Sequence, residues 1–341
     1  MSATVIELVA WPLLAPLLIL IVSTVWLFIS RRPQPIQIPL WPNKPHPCMT
    51  VYLPRRAKGR LPVIIVFRGG GWLSCASSGG GTAKWAADNG MVGVEVEYAA
   101  KTGAHPLKGP RLPEGSVLGD LPEGESAYPQ CLRDAARSIR LVRQLAAAGE
   151  LPIDPNRVCA CGFSAGGWLA GMLASSQGEA LTAACDDLST YGGGSGYSCV
   201  PDRAVLCYAV TSLHNPDDPQ RMLDSYELLL GDQTANDELR RTLSPADQLD
   251  GATCPPLFIW HTLHDGTVPS SHSIEMYAAA RKAGVEDVAL HVFSTGSVQG
   301  DRHAQGLAES NPVLCGWPKQ MLAWLGPAWR PSVPYPFAYT R

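Results

Sequence analysis

The sequence predicts an α/β fold, with a mostly parallel central sheet flanked by helices. Three features carry that prediction: seven short apolar runs, helical patterns set between them, and a glycine-framed serine at a strand-to-helix junction. The runs cover 49–53, 63–67, 91–98, 157–162, 204–211, 256–261 and 288–293. Most are continuously apolar rather than alternating, as expected of strands covered on both faces. Leu132, Ala135, Ala136, Ile139, Val142 and Leu145 recur at helical spacing, and Trp168, Leu169, Met172 and Leu173 mark a second helix after Ser164.

In chain order the first element is the stretch 8–29, which has no charged residue. At 1.5 Å rise per residue it is about as long as the hydrocarbon core is thick, and it reads as a single membrane-spanning helix kinked by Pro12 and Pro16. No lysine or arginine precedes it and no small-residue cleavage site follows, which argues against a removed signal peptide. Glu7 before it and Arg31 with Arg32 after it lean the rest of the chain towards the cytoplasmic side. Residues 1–32 are therefore expected to be an anchor, the proline-dense 33–47 an extended spacer, and 48–341 one globular domain. Two stretches interrupt the strand–helix alternation, 101–127 and 214–249, the second polar and helical in part; such insertions are where substrate contacts are carried. There is no internal repeat.

A net charge of −3 over 341 residues, without a basic cluster, gives no reason to expect nucleic acid as a partner. Small molecules fit better, and oligomeric state is not readable. Of the ten cysteines, Cys159, Cys161 and Cys207 lie in apolar runs and read as buried thiols. Cys185 and Cys199 bracket a glycine-rich segment that a disulfide would restrain in an oxidising compartment.

The chemistry centres on Gly162, Phe163, Ser164, Ala165 and Gly166, a GxSxG pattern between an apolar strand run and a helical one. A serine hydroxyl needs a base to take its proton and a carboxylate to orient that base. His303 is the only histidine beyond the last strand run; His291 lies within it and reads as a packing residue. Asp265 directly follows the run 256–261, so the chain order becomes serine, aspartate, histidine. Asp301, two residues from His303, reads as a surface charge. Gly70 and Gly71 end the run 63–67, where backbone N–H groups can face a developing oxyanion together with the amide of Ala165. Trp72 stands beside them as a candidate wall of the substrate pocket, whereas Trp168 reads as packing.

These segments resemble the α/β-hydrolase esterases related to the hormone-sensitive lipase, carboxylesterase and bifunctional feruloyl/acetylxylan esterase families. The resemblance runs from about Leu61 to Trp324 and rests on GGGW, GFSAGG, HDGTVP and RHAQGLA. It implies an α/β-hydrolase fold and hydrolysis of carboxylic esters without a cofactor, here expected on short- to medium-chain esters. One departure is Arg68, where these families carry histidine before the glycines. Its expected role is to hold the loop, with Glu95 or Glu97 as partner, the alternative being a fixed positive charge that favours an anionic substrate.

Other patterns fall away. His261 and His264 near Asp265 sit at a strand end rather than on a helix, and no metal is expected. The run Gly79, Gly80, Gly81, Thr82 and Lys84 lacks the ending of a phosphate cradle and reads as a turn. Two rival functions share the same residues: cleavage of an amide or peptide, and a membrane-tethered binding protein that kept the fold without catalysis.

Overall fold

The computed structural model describes residues 33–41, 47–55, 58–101, 126–182, 196–294 and 303–329. The expected membrane helix at 8–29, Cys185 and Asp301 lie outside these residues. Among the described residues no helix is long and apolar enough to cross a membrane.

Eight strands form one sheet: β1 (Ile36–Pro39), β2 (Cys48–Tyr52), β3 (Leu61–Phe67), β4 (Val92–Val96), β5 (Ile153–Phe163), β6 (Arg203–Cys207), β7 (Leu257–Thr262) and β8 (Val288–Phe293). Their spatial order is β1-β2-β4-β3-β5-β6-β7-β8. The pairs β1/β2 and β2/β4 are antiparallel, and every other neighbour is parallel. All seven expected runs are strands. The run at 204–211 stops early, at Cys207, because Tyr208 turns to φ 39°.

The spacer expected at 33–47 needs correction, since Ile36–Pro39 joins the sheet as its outermost strand. Proline tolerates this position because an edge strand leaves one side unpaired. Just beyond it Leu40 is fully buried, Arg137 donates to its carbonyl, and the Trp41 indole donates to Asp134 at 2.7 Å.

The helices are α1 (Thr82–Asp88), α2 (Gln130–Ala147), α3 (Ala165–Ala174), α4 (Ser176–Thr182), α5 (Gln220–Leu230), α6 (Asp237–Thr242), α7 (Ser271–Ala283) and α8 (Trp317–Leu325). One core lies between the sheet and α2 and α3, with Ile65, Leu132, Ile139, Trp168 and Leu206 in contact. A second core lies on the opposite face, where Ile64, Phe163, Trp260 and Trp317 meet. β3 is buried at all its positions, each Val or Ile side chain there contributing about 1.5–3 kcal/mol. The other flank of α2 presents arginines at a three-residue spacing. Arg140 pairs with Glu179 of α4, and Arg143 binds the carbonyls of Ser198 and Val200 and the carboxylate of Asp202. Cys199, held in that segment, is a buried thiol.

Candidate active site

β5 ends at Phe163 and α3 begins at Ala165, which makes Ser164 the whole of the turn between them. Ser164 takes φ 55° and ψ −121°, a sparsely populated conformation that costs on the order of 1–3 kcal/mol. Its amide donates to Cys207 O at 3.0 Å and its carbonyl accepts from the Trp168 amide at 3.1 Å, which holds the bend. A Cβ on Gly162 would stand 2.1 Å from the Gly166 carbonyl oxygen, and one on Gly166 would stand 2.2 Å from that of Phe67. Glycine at both flanks is what lets the turn close this tightly.

The structure brings the three expected side chains together. Nε2 of His303 lies 2.8 Å from Ser164 Oγ, and its Nδ1 lies 2.7 Å from Asp265 Oδ2. An ionised carboxylate only accepts, so Nδ1 carries the proton and the Nε2 lone pair faces the hydroxyl. Oδ1 of Asp265 accepts from the amides of Thr267 at 2.9 Å and Val268 at 3.0 Å. Burial alone would raise the pKa of Asp265. The hydrogen bonds and charge of His261 and His303 outweigh that and hold it well below the ordinary carboxylate range.

Residues that sequence reading did not single out hold the His303 loop. The Tyr208 ring packs edge-on to the imidazole at 4.9 Å, and its hydroxyl accepts from the Gly306 amide at 2.9 Å. The Trp317 indole donates to Gly306 O at 3.0 Å. His291 stacks on Phe293 within β8, the packing role expected of it.

A profile of the BD-FAE family matches residues 122–280. Over 234 residues the chain is 27% identical to endo-1,4-beta-xylanase B of Butyrivibrio fibrisolvens, a match that takes in 68% of this chain and 31% of that protein. The chain thus spans less than a third of that relative's length. Among solved structures, the acetyl ester-xyloside bifunctional hydrolase of Caldicellulosiruptor lactoaceticus superposes with a TM-score of 0.66 at 29% identity, over 86% of this chain and 97% of that one. The Est2 esterase of Thermogutta terrifontis has a TM-score of 0.62 at 23% identity, over 89% of this chain and 96% of that one. The carboxylesterase Cest-2923 of Lactobacillus plantarum WCFS1 also has a TM-score of 0.62, at 20% identity, over 86% of this chain and 97% of that one. The chain has the α/β-hydrolase fold.

A cavity of about 210 Å³ opens on Ser164 and His303, walled by Gly70, Gly71, Trp72, Ala165, Met222 and Ser225. Ala165 opens α3, so its amide has no carbonyl one turn earlier to bond. Among the described residues the amides of Gly70 and Gly71 likewise donate to no backbone carbonyl. Trp72 is buried, its ring 5.8 Å from Trp168 and 6.2 Å from Tyr226, so this wall of the pocket is firmly backed. Trp168 is a packing residue whose indole donates to Leu243 O at 2.7 Å.

Arg68 takes the loop-holding role. It pairs with Glu95 at 2.9 Å and donates to the carbonyl of Ala76 across the glycine turn. Glu97, the other candidate partner, accepts from the amide and thiol of Cys48 at 3.3 Å. α5 covers the serine cavity with Met222 and Ser225 and is pinned from two sides. Arg221 donates to Gly266 O on the acid loop. The Tyr226 hydroxyl donates to Asp218 at 2.6 Å, and Asp218 accepts from His272 Nε2 at 2.7 Å. A second, larger hollow of about 660 Å³ lies beside the His303 loop, lined by polar and charged groups such as Lys84, Asp88, Gln305 and Glu309 around Trp85. Ser77 borders both hollows.

Proposed function

We propose that the chain hydrolyses carboxylic esters of short acyl groups, with Ser164 as nucleophile, His303 as base and Asp265 as the acid that orients it. The observation that carries this reading is the unbroken series of contacts Ser164–His303–Asp265, at 2.8 and 2.7 Å. Ser164 Oγ attacks the ester carbonyl as His303 Nε2 takes its proton. The oxyanion is met by the amides of Gly70, Gly71 and Ala165, each worth about 3 kcal/mol in the barrier in comparable sites. His303 then gives that proton to the departing alcohol. Water, activated by the same nitrogen, releases the acid and restores the serine.

The roughly 210 Å³ hollow beyond Ser164 supports a short acyl group. The alcohol must leave on the side of His303, next to the larger polar hollow, which favours a polar alcohol; a relative named as an acetyl ester-xyloside hydrolase agrees with both points. Ser164→Ala is expected to lower ester hydrolysis on the order of a million-fold and to abolish labelling by a fluorophosphonate. Retained turnover in that variant would remove the assignment. Matched ester and amide substrates separate esterase from amidase action. The apolar stretch 8–29, followed by Arg31 and Arg32, supports single-pass attachment with the catalytic domain cytoplasmic. Membrane partitioning of the full chain against one lacking 1–32, with protease protection, tests that.

A further inference from the structure

A second imidazole stands at the acid. His261, the penultimate residue of β7, is fully buried. Its Nε2 lies 2.9 Å from the carbonyl oxygen of Val268 and 3.4 Å from Oδ2 of Asp265, the same oxygen that receives His303. Its Nδ1 lies 2.7 Å from the hydroxyl of Ser273 on α7. A carbonyl oxygen can only accept, so Nε2 carries the proton, Nδ1 is a lone pair, and the Ser273 hydroxyl donates to it. The opposite tautomer would turn a lone pair towards two acceptors at once. Burial pushes the imidazole pKa down, which keeps the ring a neutral donor.

We propose that His261, with its tautomer fixed by Ser273, is a positioning residue that holds the Asp265 carboxylate in the orientation His303 needs. The proposal rests on the triad reading above. The two amides of Thr267 and Val268 grip Oδ1 alone. Oδ2, the oxygen that orients the base, has the His261 N–H as its other neighbouring donor. The bond from that same N–H to Val268 O also ties down the loop that presents Asp265. The charged and titratable groups around this assembly are Asp265 and His303 on one side, His272 with its partner Asp218 on the other, and Tyr208 beside His303. His261 and Ser273 border neither hollow, so they act through Asp265 and not on the substrate.

The test uses the full chain with His261→Leu, His261→Gln and Ser273→Ala, and expresses kcat per serine titrated by a fluorophosphonate, so that misfolded protein does not count. Leucine removes the donor, whereas glutamine places an amide N–H near the Nε2 position. His261→Leu is expected to lower kcat by on the order of tenfold or more, short of the roughly 10⁴-fold lost with the orienting acid in comparable triads, with KM within about twofold. His261→Gln is expected to recover most of that loss, and Ser273→Ala to show a smaller fall with the same split between kcat and KM. Native kcat in His261→Leu, a glutamine variant as poor as leucine, or a change confined to KM overturns the proposal. If the leucine variant does not fold, Ser273→Ala decides: unchanged kcat rejects the positioning role and reduced kcat at constant KM supports it. An active Ser164→Ala protein would instead sink the underlying triad reading, so the two failures are told apart.

Discussion

Asp265 accepts from three donors and has the His261 N–H 3.4 Å away, so it lies buried beside two imidazoles, and the consequences are electrostatic. Asp265→Asn puts an amide N–H where His303 Nδ1 needs an acceptor, which favours the tautomer with its proton on Nε2, facing the serine. Turnover is expected to fall by about 10⁴-fold with the fold intact, checked by kcat alongside an unchanged circular dichroism spectrum. The same cluster sets an acid limit to stability. His261 is kept neutral by burial, so below the ordinary imidazole pKa of about 6.5 the unfolded chain takes up a proton that the folded chain refuses, and stability drops. The carboxylate acts in the same direction further down. Its folded pKa is depressed, so its contribution is whole above about 3.9 and is lost as pH falls through the folded value. The melting temperature is therefore expected to decline from about pH 7 to pH 5, and His261→Gln, which cannot titrate, should show a shallower decline.

At the scale of elements, α5 decides what fits against Ser164. Met222 is buried and lines the hollow beyond Ser164; if that hollow takes the proposed acyl group, Met222→Ala should shift preference towards acyl chains one or two carbons longer, each methylene being worth about 1–3 kcal/mol. Ratios of kcat/KM across a graded ester series check this; an unchanged ratio would mean the chain end lies elsewhere. The seat of α5 depends on Asp218, whose side chain is 1% exposed against a fully buried His272. Asp218→Ala strands the Nε2 of that imidazole and leaves the Tyr226 hydroxyl only the Ser212 carbonyl, and should lower unfolding free energy by about 3 kcal/mol in urea titration.

For the whole molecule, the strand at 36–39 sets where the domain can be cut. Deleting 1–32 is expected to leave hydrolysis unchanged. Deleting 1–47 exposes the edge of β2, removes Leu40 from the core and leaves Asp134 without the Trp41 indole. That shorter chain should melt lower and aggregate, as seen by light scattering on heating.

The reasons for what could and could not be read are visible in the same residues. Strands covered on both faces must be continuously apolar, so 63–67 and 256–261 declared themselves. β1, four residues framed by Pro35 and Pro39, has no such run, and its burial begins only at Leu40. Ser164, Asp265 and His303 could be read because the turn and the chain order restrict their positions. Tyr208 and Trp317 could not, since the first reaches Gly306 across 98 residues and no local pattern records such a contact. His261 looked like a strand-end residue; only its distances to Ser273, Val268 and Asp265 distinguish it.

His272 and Ser273 follow one another in the first turn of α7, and successive helical side chains leave the axis about 100° apart. One reaches Asp218 beneath the cap helix, the other reaches His261 behind the acid. On the proposed reading, a single pivot therefore serves both the fit of the acyl chain and the aim of the proton acceptor. Drift in that turn would blunt selectivity and turnover together, and a graft that resizes the pocket has to leave those two neighbours in register.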